Sequence, residues 1–288
     1  MHKSSVLSPA KLNLGLVVKG KLSNGYHDVN TVLTTLPFYD ELLITRTPSG
    51  FHLTCSDPSI PTDERNLLFI VYQKMLTLSP EPHGLSVHLV KNIPSCSGLG
   101  GGSLNAATFL KYLNDAWKLS VHPKRLTSLA KDIGSDIAFS LINDVVYETK
   151  HGIKNQGELI PLMSLPKCSI LLVFPHIHIS VADAYSLLDR HSYSQDKDLA
   201  PLLKALKKHD LSFANFLHNS FETAIFAAYP QLSAIKKFLL SNNALGALLT
   251  GKGSCIYGVF TDELAAKTAA AAVKVSYPEY QTWVFNYD

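Results

Sequence analysis

The sequence has few cysteines and lacks a long apolar run. The four cysteines, at 55, 96, 168 and 255, lie far apart and form no Cys-x-x-Cys pair. This argues against a disulfide framework or a cysteine-based zinc site and fits a reducing compartment. No stretch approaches the ~18 apolar residues of a membrane span, and the first residues lack the apolar block of a signal peptide. We expect a cytoplasmic protein that binds no membrane.

A strong excess of either charge is also missing. The formal net charge is +3, and the densest basic cluster is the short "KALKKH" at 204–209. Such a cluster is typical of a solvated helix face, so we expect no nucleic-acid partner. The "HIH" at 176–178 has no third ligand at helical spacing, which argues against a metal site there. With 46% hydrophobic residues in a chain of 288, the sequence can bury a substantial core in two domains or one large one.

The first half of the chain predicts paired strands and a few helices. The Asn24-Gly25 turn signal between the β-rich runs 11–20 and 26–36 predicts a hairpin. The runs 41–47 and 51–56 predict a second strand pair that turns at "PSG". The other predicted elements of this half are a helix at 66–78, a strand at 85–90, helices at 104–117 and 124–133, a short helix that starts at Ser135 or Asp136, and a strand at 144–150.

The second half begins after a segment richer in glycine, proline and polar residues at 151–167. This segment predicts a domain junction, so we place one domain at 1–158 and another at 159–288. The apolar run 168–174 predicts a buried strand. The remaining predicted elements are helices from about 180, near 198–208, 211–227, 230–240 and 262–274, and short strands at 246–250, 255–260 and 281–286. The predicted fold class is α+β.

A glycine-rich stretch, "PSCSGLGGGSLNAA" at 94–107, lies between a predicted strand and a predicted helix. A dinucleotide-binding loop would need a third glycine where Ser103 stands, and an acidic residue near position 120. A Walker A loop would need a hydroxyl residue after its lysine, but Gly253 follows Lys252 in the nearest match. Neither of these loop types fits.

The same stretch still predicts phosphate binding. Glycines let backbone N–H groups approach an anion closely, and the unpaired amides and dipole at a helix N-terminus favour negative charge. The hydroxyl of Ser103 could reach a phosphate oxygen or a metal ion. The alternative is a tight turn without a ligand, for which three consecutive glycines would be costly in conformational entropy.

Two further residues remain ambiguous from local sequence alone. Asp136 could be a carboxylate near an acceptor hydroxyl, as phosphoryl transfer often requires, or an ordinary helix N-cap. Lys11 stands at the start of a strand, where lysines are also common at a sheet edge.

Four segments together resemble the GHMP small-molecule kinases, which include galactokinase, homoserine kinase and mevalonate kinase. They are "SPAKLNLGLVVKGKLSNGYHDV" at 8–29, "IPSCSGLGGGSLNAA" at 93–107, "IGSDIAF" at 133–139 and "LLTGKGSCIYGVF" at 248–260, in family order. The "PAKLN" start and the "NGYH" step resemble the branch of this family that acts on cytidine-diphosphate-linked methylerythritol. Several motifs in the right order are more specific than one glycine loop.

The resemblance implies an N-terminal α+β domain of the kind shared with ribosomal small-subunit proteins and a ferredoxin-like C-terminal domain. It implies transfer of the γ-phosphoryl group of ATP to the 2-hydroxyl of that cytidine-diphosphate-linked substrate, in isoprenoid precursor synthesis. The co-substrate would be ATP with Mg²⁺, and the protein would be a monomer or weak homodimer.

The resemblance also implies roles for individual residues. Asp136 would be the general base, and Lys11 would lie beside it and keep it ionised. The residues expected at the ATP phosphates are Pro94, Ser95, Cys96, Ser97, Gly98, Leu99, Gly100, Gly101, Gly102, Ser103 and Leu104. The residues expected at the substrate are Asn13, Tyr26, His27, Tyr185, Thr250 and Gly251.

The chain departs from the family pattern at several positions. The family's glycine loop usually ends with two hydroxyl residues, but here Leu104 follows Ser103, so only one hydroxyl at this end can serve phosphate or Mg²⁺. Ser135 and Ala138 stand where the family commonly has alanine and proline. Lys252 is unusual in its motif, and could approach phosphate or face water. These changes leave both Lys11 and Asp136 in place.

Two other functions remain open at this point. One is a GHMP kinase for a simpler alcohol, although the Tyr26-His27 pair suits an aromatic base better than a small acid. The other is an RNA-binding module, which the weak basic clustering and the phosphate loop argue against.

Overall fold

A computed structural model describes residues 3–79, 84–134, 136–142, 145–150, 157–191, 193 and 197–288. Its strands are β1 (Lys3–Lys21), β2 (His27–Thr47), β3 (Phe51–Cys55), β4 (Gly84–Val90), β5 (Val145–Lys150), β6 (Leu159–Pro161), β7 (Cys168–Phe174), β8 (His218–Asn219), β9 (Gly246–Leu249), β10 (Ile256–Phe260) and β11 (Gln281–Tyr287). Its α-helices are α1 (Leu67–Leu76), α2 (Gly101–Ala116), α3 (Pro123–Ile133), α4 (Val181–Leu188), α5 (Ala200–Lys207), α6 (Phe221–Ala228), α7 (Pro230–Ser241) and α8 (Glu263–Ser276). None of these described helices is both long and apolar enough to cross a bilayer. The mixture of helices and sheets confirms the predicted α+β class.

The described strands form two sheets. The larger has the order β3-β4-β2-β1-β8, with β5 paired to β2 and β6 paired to β5. The smaller has the order β11-β7-β10-β9, and all its pairs are antiparallel. The predicted first hairpin is confirmed, since β1 and β2 are neighbours and the backbone of Gly25, with φ 84°, donates to the carbonyl of Leu22.

Contacts divide the chain into two compact units. Unit 1 contains Met1–Lys11, Pro37–Pro94 and Gly100–Ile142, and unit 2 contains Leu12–Leu36, Ser95–Leu99 and Asn143–Asp288. The chain passes from one unit to the other inside β1, inside β2, twice in the glycine-rich stretch and once after Ile142. The domain boundary between 158 and 159 stays a prediction.

Unit 1 has a core in which β4 lies between two strands. Its apolar residues Leu85, Val87 and Leu89 are buried, and β4 pairs antiparallel with the end of β2 and parallel with β3. The predicted pairing of 41–47 with 51–56 is therefore wrong, because β4 takes the place between them. Residues 41–47 are instead the last part of the long strand β2.

The segment after α3 also differs from its prediction. Only a short 3-10 turn forms, at Phe139–Leu141, and its N-cap residue is Ala138 rather than Asp136. The predicted start at Ser135 lies outside the described residues, as do residue 144 of the predicted strand 144–150 and residues 151–156 of the predicted junction.

Unit 2 has a core on the smaller sheet. Every residue of β7 is buried, and helices α7 and α8 pack against this sheet. The predicted helix at 211–227 is wrong, because a 3-10 turn at Leu211–Phe216, strand β8 and helix α6 occupy it. Tertiary hydrogen bonds override the helical pattern here: β8 pairs parallel with β1, and the Asn219 side chain donates to the carbonyls of Leu249 and Gly251.

Candidate active site

The start of α2 in unit 1 leaves backbone donors available for an anion. Its N-cap is Gly100, in the left-handed region with φ 68°, and within the described residues no side chain caps this end. The first backbone N–H groups of a helix have no intrahelical partner. The amides of Gly101, Gly102 and Ser103 can therefore meet a phosphate, and the helix dipole favours its negative charge.

Lys11 lies beside this helix start. The residue is 3% exposed within β1, and a Cβ placed on Gly100 would come within 2.8 Å of the lysine Cγ and 3.0 Å of its Cε. Glycine at position 100 thus leaves space for the aliphatic part of Lys11. The buried position shows that this lysine is not an exposed edge residue.

Asp136 is half-buried in the turn that follows α3. Gly134 ends α3 two residues earlier, and the 3-10 turn at Phe139–Leu141 packs against α2. Because Asp136 caps no α-helix, its interpretation as an ordinary N-cap is wrong.

A buried carboxylate that the sequence did not reveal joins the two sides of the glycine loop within unit 1. Asp40 is fully buried and accepts from the backbone of Asn92 at 2.8 Å and of Ile93 at 2.9 Å, and from Nδ2 of Asn105 at 3.0 Å. It also forms an ion pair with Lys91, whose side chain is nearly as buried. Asn92 and Ile93 precede the loop and Asn105 follows it in α2, so Asp40 fixes both ends.

The part of the glycine loop that belongs to unit 2 is bonded to the segment between β9 and β10. The backbone of Cys255 donates to the carbonyl of Ser97 at 3.1 Å, and the hydroxyl of Thr250 donates to the carbonyl of Gly98 at 3.3 Å. Gly98 has φ 82°, and a Cβ there would overlap the carbonyl oxygen of Thr250. Only glycine meets both demands at this position.

Thr250 also bonds to the first strand. The backbone N–H of Asn13 donates to its hydroxyl oxygen at 3.3 Å, and Nδ2 of Asn13 donates to Thr31 Oγ1 at 2.8 Å. The buried hydroxyl of Tyr257 donates to the carbonyl of Asn13 at 2.9 Å, and burial raises the pKa of this phenol well above its usual value. Thr250, Gly98 and Asn13 are therefore brought together within unit 2.

His27 is part of a polar cluster with a carboxylate of α4's C-terminal end. Its Nε2 lies 2.7 Å from Oδ1 of Asp189, which also accepts from the hydroxyl of Tyr193 at 2.9 Å. The other oxygen, Oδ2, accepts from Lys21 at 2.6 Å. Partial burial raises the pKa of Asp189, but the hydrogen bonds from Lys21, His27 and Tyr193 outweigh this and lower it to about 2. The carboxylate is therefore ionised at neutral pH.

Tyr185 packs against His27. The two rings are stacked with centroids 4.3 Å apart, and the ring of Phe221 meets Tyr185 edge-on at 5.1 Å. The ammonium of Lys252 lies 5.0 Å from the Tyr185 centroid, a cation–π distance. Lys252 therefore lies over an aromatic ring. Tyr26, by contrast, is 65% exposed.

Unit 2 thus holds every residue expected at the substrate, and brings Asn13 to Thr250 and His27 to Tyr185. Unit 1 holds both residues expected to be catalytic. Sequence reasoning missed Asp40 and its partners, for which no local pattern exists. It also missed Asp189, which stands four residues after Tyr185, the spacing that places two side chains on one helix face.

Comparison with known proteins gives the family. Residues 66–144 match the model for the GHMP kinases N terminal domain, and residues 194–279 match the model for the GHMP kinases C terminal domain. The 4-diphosphocytidyl-2-C-methyl-D-erythritol kinase of Solidesulfovibrio magneticus is 37% identical over 279 residues, covering 94% of this chain and 93% of that protein. The enzyme of the same name from Syntrophomonas wolfei is 32% identical over 284 residues, covering 97% of both chains.

This chain belongs to the 4-diphosphocytidyl-2-C-methyl-D-erythritol kinase family of GHMP kinases. Members of this family are small-molecule kinases that use ATP as co-substrate.

Solved structures agree with the assignment to this kinase family. A crystal structure of a 4-(cytidine 5'-diphospho)-2C-methyl-D-erythritol kinase matches with a TM-score of 0.80 and 26% identity, covering 98% of both chains. A homoserine kinase from Cytophaga hutchinsonii also reaches 0.80, at 20% identity, covering 99% of this chain and 96% of that one. At that identity the second match shows only that the fold is shared.

Proposed function

We propose that this kinase transfers the γ-phosphoryl group of ATP to the 2-hydroxyl of 4-diphosphocytidyl-2-C-methyl-D-erythritol. One observation carries the proposal: relatives with this name match the chain at 31–37% identity over more than nine-tenths of its length. The four motifs that resemble the family run in family order along this chain, from the segment around Lys11 to the one around Thr250. The two-domain boundary near residue 158, a cytoplasmic location and a monomeric or weakly dimeric state belong to the same proposal.

In this proposal Asp136 accepts the proton of the substrate hydroxyl as the oxygen attacks phosphorus. Lys11 keeps Asp136 ionised and stabilises the negative charge of the transferring phosphoryl group. The support is the burial of Lys11 beside Gly100 and the position of Asp136 in a turn that caps no α-helix.

The stretch from Pro94 to Leu104 binds the ATP phosphates in this proposal. Its glycines and the uncapped amides at the start of α2 are the donors that an anion requires. Mg²⁺ would arrive with ATP, because this ion keeps several waters and is usually bound by few protein ligands and the substrate phosphates. Ser103 offers the one hydroxyl at the C-terminal end of the loop that could join them. Among the described residues no group of three or more histidines, cysteines or carboxylates is arranged to hold a metal.

The substrate is bound by the residues of unit 2 in this proposal. Asn13, Thr250 and Gly251 contact its polar groups, and Tyr26, His27 and Tyr185 contact the cytosine. The support is the mutual contact of His27 and Tyr185 and the exposure of Tyr26, which leaves its ring available for stacking on a base.

The experiment is an ADP-release assay with cytidine-diphosphate methylerythritol, mevalonate and homoserine, together with Asp136→Asn. We expect turnover of the cytidine substrate alone, with the new phosphate on its 2-oxygen by ³¹P NMR. Asp136→Asn should retain ATP binding and lose roughly 10²- to 10⁴-fold in kcat, the usual contribution of a general base.

Asp132→Asn is the matched control, since it makes the same chemical change at an exposed position on neighbouring α3. Turnover of homoserine or mevalonate without the cytidine substrate would overturn the proposed reaction. Wild-type turnover by Asp136→Asn would remove that residue from the role of base.

A further inference from the structure

We propose that Asp189 is a positioning residue that makes the kinase select cytosine over uracil, by fixing the protons of His27. This inference rests on the proposed function, since it concerns the base of the proposed substrate. It gives a role to a cluster of four side chains, Lys21, His27, Asp189 and Tyr193, in which only His27 was predicted to act.

The hydrogen bond between His27 and Asp189 determines which ring nitrogen carries a proton. An ionised carboxylate can only accept, so Nε2 at 2.7 Å must donate. The low pKa of Asp189, about 2, keeps it an acceptor throughout the neutral range. The neutral ring therefore has its lone pair on Nδ1.

The surroundings also fix the orientation of the ring. The His27 side chain is only 7% exposed, with Tyr185 stacked at 4.3 Å and Tyr193 edge-on at 6.1 Å. Charged groups of the described residues at this cluster include the carboxylate of Asp189 and the ammonium of Lys21, with Lys252 over the Tyr185 ring. A ring held in this way presents Nδ1 in one direction.

An acceptor at Nδ1 distinguishes the two pyrimidines by one hydrogen bond. Cytosine carries an amino group at C4 that donates, whereas uracil carries a carbonyl oxygen there that accepts. Nδ1 can accept from the cytosine amino group, but it would face the uracil oxygen lone pair to lone pair. Enzymes that read a base in a pocket use such contacts to its Watson–Crick edge.

Asp189→Asn should reverse this preference because of Lys21. An amide has one accepting oxygen and one donating NH₂ group. The Lys21 ammonium, 2.6 Å from Oδ2 in the native chain, attracts the amide oxygen and turns the NH₂ group toward His27. Nε2 must then accept, so the proton moves to Nδ1, which becomes a donor suited to uracil.

The first measurement needs no substrate. ¹⁵N NMR of histidine-labelled protein distinguishes the two tautomers, and His27→Gln identifies the His27 signals. We expect Nε2–H in the native chain and in Asp183→Asn, an exposed carboxylate change on the same helix. We expect Nδ1–H in Asp189→Asn, while its far-UV circular dichroism stays native. The native tautomer in a folded Asp189→Asn would overturn the proposal.

The second measurement compares kcat/KM for the cytidine-linked and uridine-linked substrates. The ratio of cytidine-linked to uridine-linked kcat/KM should fall by about tenfold or more in Asp189→Asn. This is the size of effect expected when one hydrogen-bonding group loses its partner. It should stay native in Asp183→Asn. The double variant Lys21→Met/Asp189→Asn should regain much of the ratio, because the amide can then turn its oxygen toward His27.

The two proposals fail in different ways. If the native kinase does not phosphorylate the cytidine-linked compound, the proposed function is wrong, and the NMR result still decides the tautomer. If it does so, and Asp189→Asn keeps the native base ratio, the role of Asp189 in base selection is wrong.

Discussion

Asp40 in unit 1 and Asp189 in unit 2 each accept hydrogen bonds from several donors, but they differ in burial and in the kind of donor. Asp40 is fully buried and bonds two backbone amides and an asparagine, besides Lys91. Asp189 has a side chain 22% exposed, and its partners among the described residues are the side chains of Lys21, His27 and Tyr193. The protons of backbone and side-chain amide N–H groups stay on their nitrogens, whereas a neutral histidine can carry its proton on either ring nitrogen.

This difference suits the parts of the chain that each carboxylate holds. The proposed phosphate binding through backbone amides would need a loop of fixed geometry, and the fully buried Asp40 supplies hydrogen bonds of the kind that are strong in a low-dielectric interior. The proposed contact of His27 with a base would need one defined tautomer, which in our proposal the ionised, partly exposed carboxylate of Asp189 provides.

Asp40→Ala gives the largest expected effect. It leaves the buried ammonium of Lys91 and two backbone amides without their acceptor, so the free energy of unfolding should fall by about 3–5 kcal/mol. Asp189→Ala should cost only about 1 kcal/mol or less, since partly exposed ion pairs are screened by water. Urea unfolding of both variants measures this, and equal losses would show that burial does not separate the two carboxylates.

Two glycines of the loop give the next largest effect, one from each unit. Gly98→Ala forces a left-handed alanine against the carbonyl of Thr250 and should destabilise by about 2 kcal/mol or more. Gly102 has open space around its Cβ position in α2, so Gly102→Ala should stabilise by up to ~1 kcal/mol. Thermal unfolding of the pair tests whether the unit 2 part of the loop is also rigid. Equal thermal-unfolding midpoints for the two variants would mean that the backbone around Gly98 shifts to accommodate the added methyl group.

The smallest expected effect is the pH dependence of stability at Asp189. Its pKa is about 2 in the folded chain against the usual 3.8, so its contribution is present above about 3.8 and is lost as the pH falls toward 2. The difference in unfolding free energy between native chain and Asp189→Asn should shrink as the pH falls from about 4 to 2. Solvent screening keeps it near 1 kcal/mol or less. A difference that does not shrink between about pH 4 and 2 would contradict the lowered pKa of Asp189.

Most of the fold, including the glycine loop ahead of α2, could be predicted from local sequence, because turn signals, alternation and glycines act over short distances. The strand order around β4 could not be predicted, since it depends on which strands pair in the folded sheet. There β4 lies between β2 and β3. The break of the predicted helix 211–227 has the same origin, in bonds from Asn219 to residues 30 and 32 positions away.

The carboxylates of the candidate site were missed for a similar reason. Asp40 meets its partners 51 to 65 positions later, and Asp189 meets Lys21 and His27 across 168 and 162 positions. No spacing rule links residues so far apart. The family motifs, by contrast, identified Asn13, His27 and Thr250 as substrate residues, which stays a prediction; all three lie in unit 2.

The hydroxyl of Thr250 has a consequence for how the chain can respond to its ligands. A single oxygen accepts from the backbone of Asn13 and donates to the carbonyl of Gly98, so it serves as a common reference point for the first strand and the loop. A displacement of either segment changes the bond that holds the other. We therefore expect Asn13, Gly98 and Thr250 to move together. A shift of any one of these three segments requires a matching shift of the other two if both hydrogen bonds are to be kept.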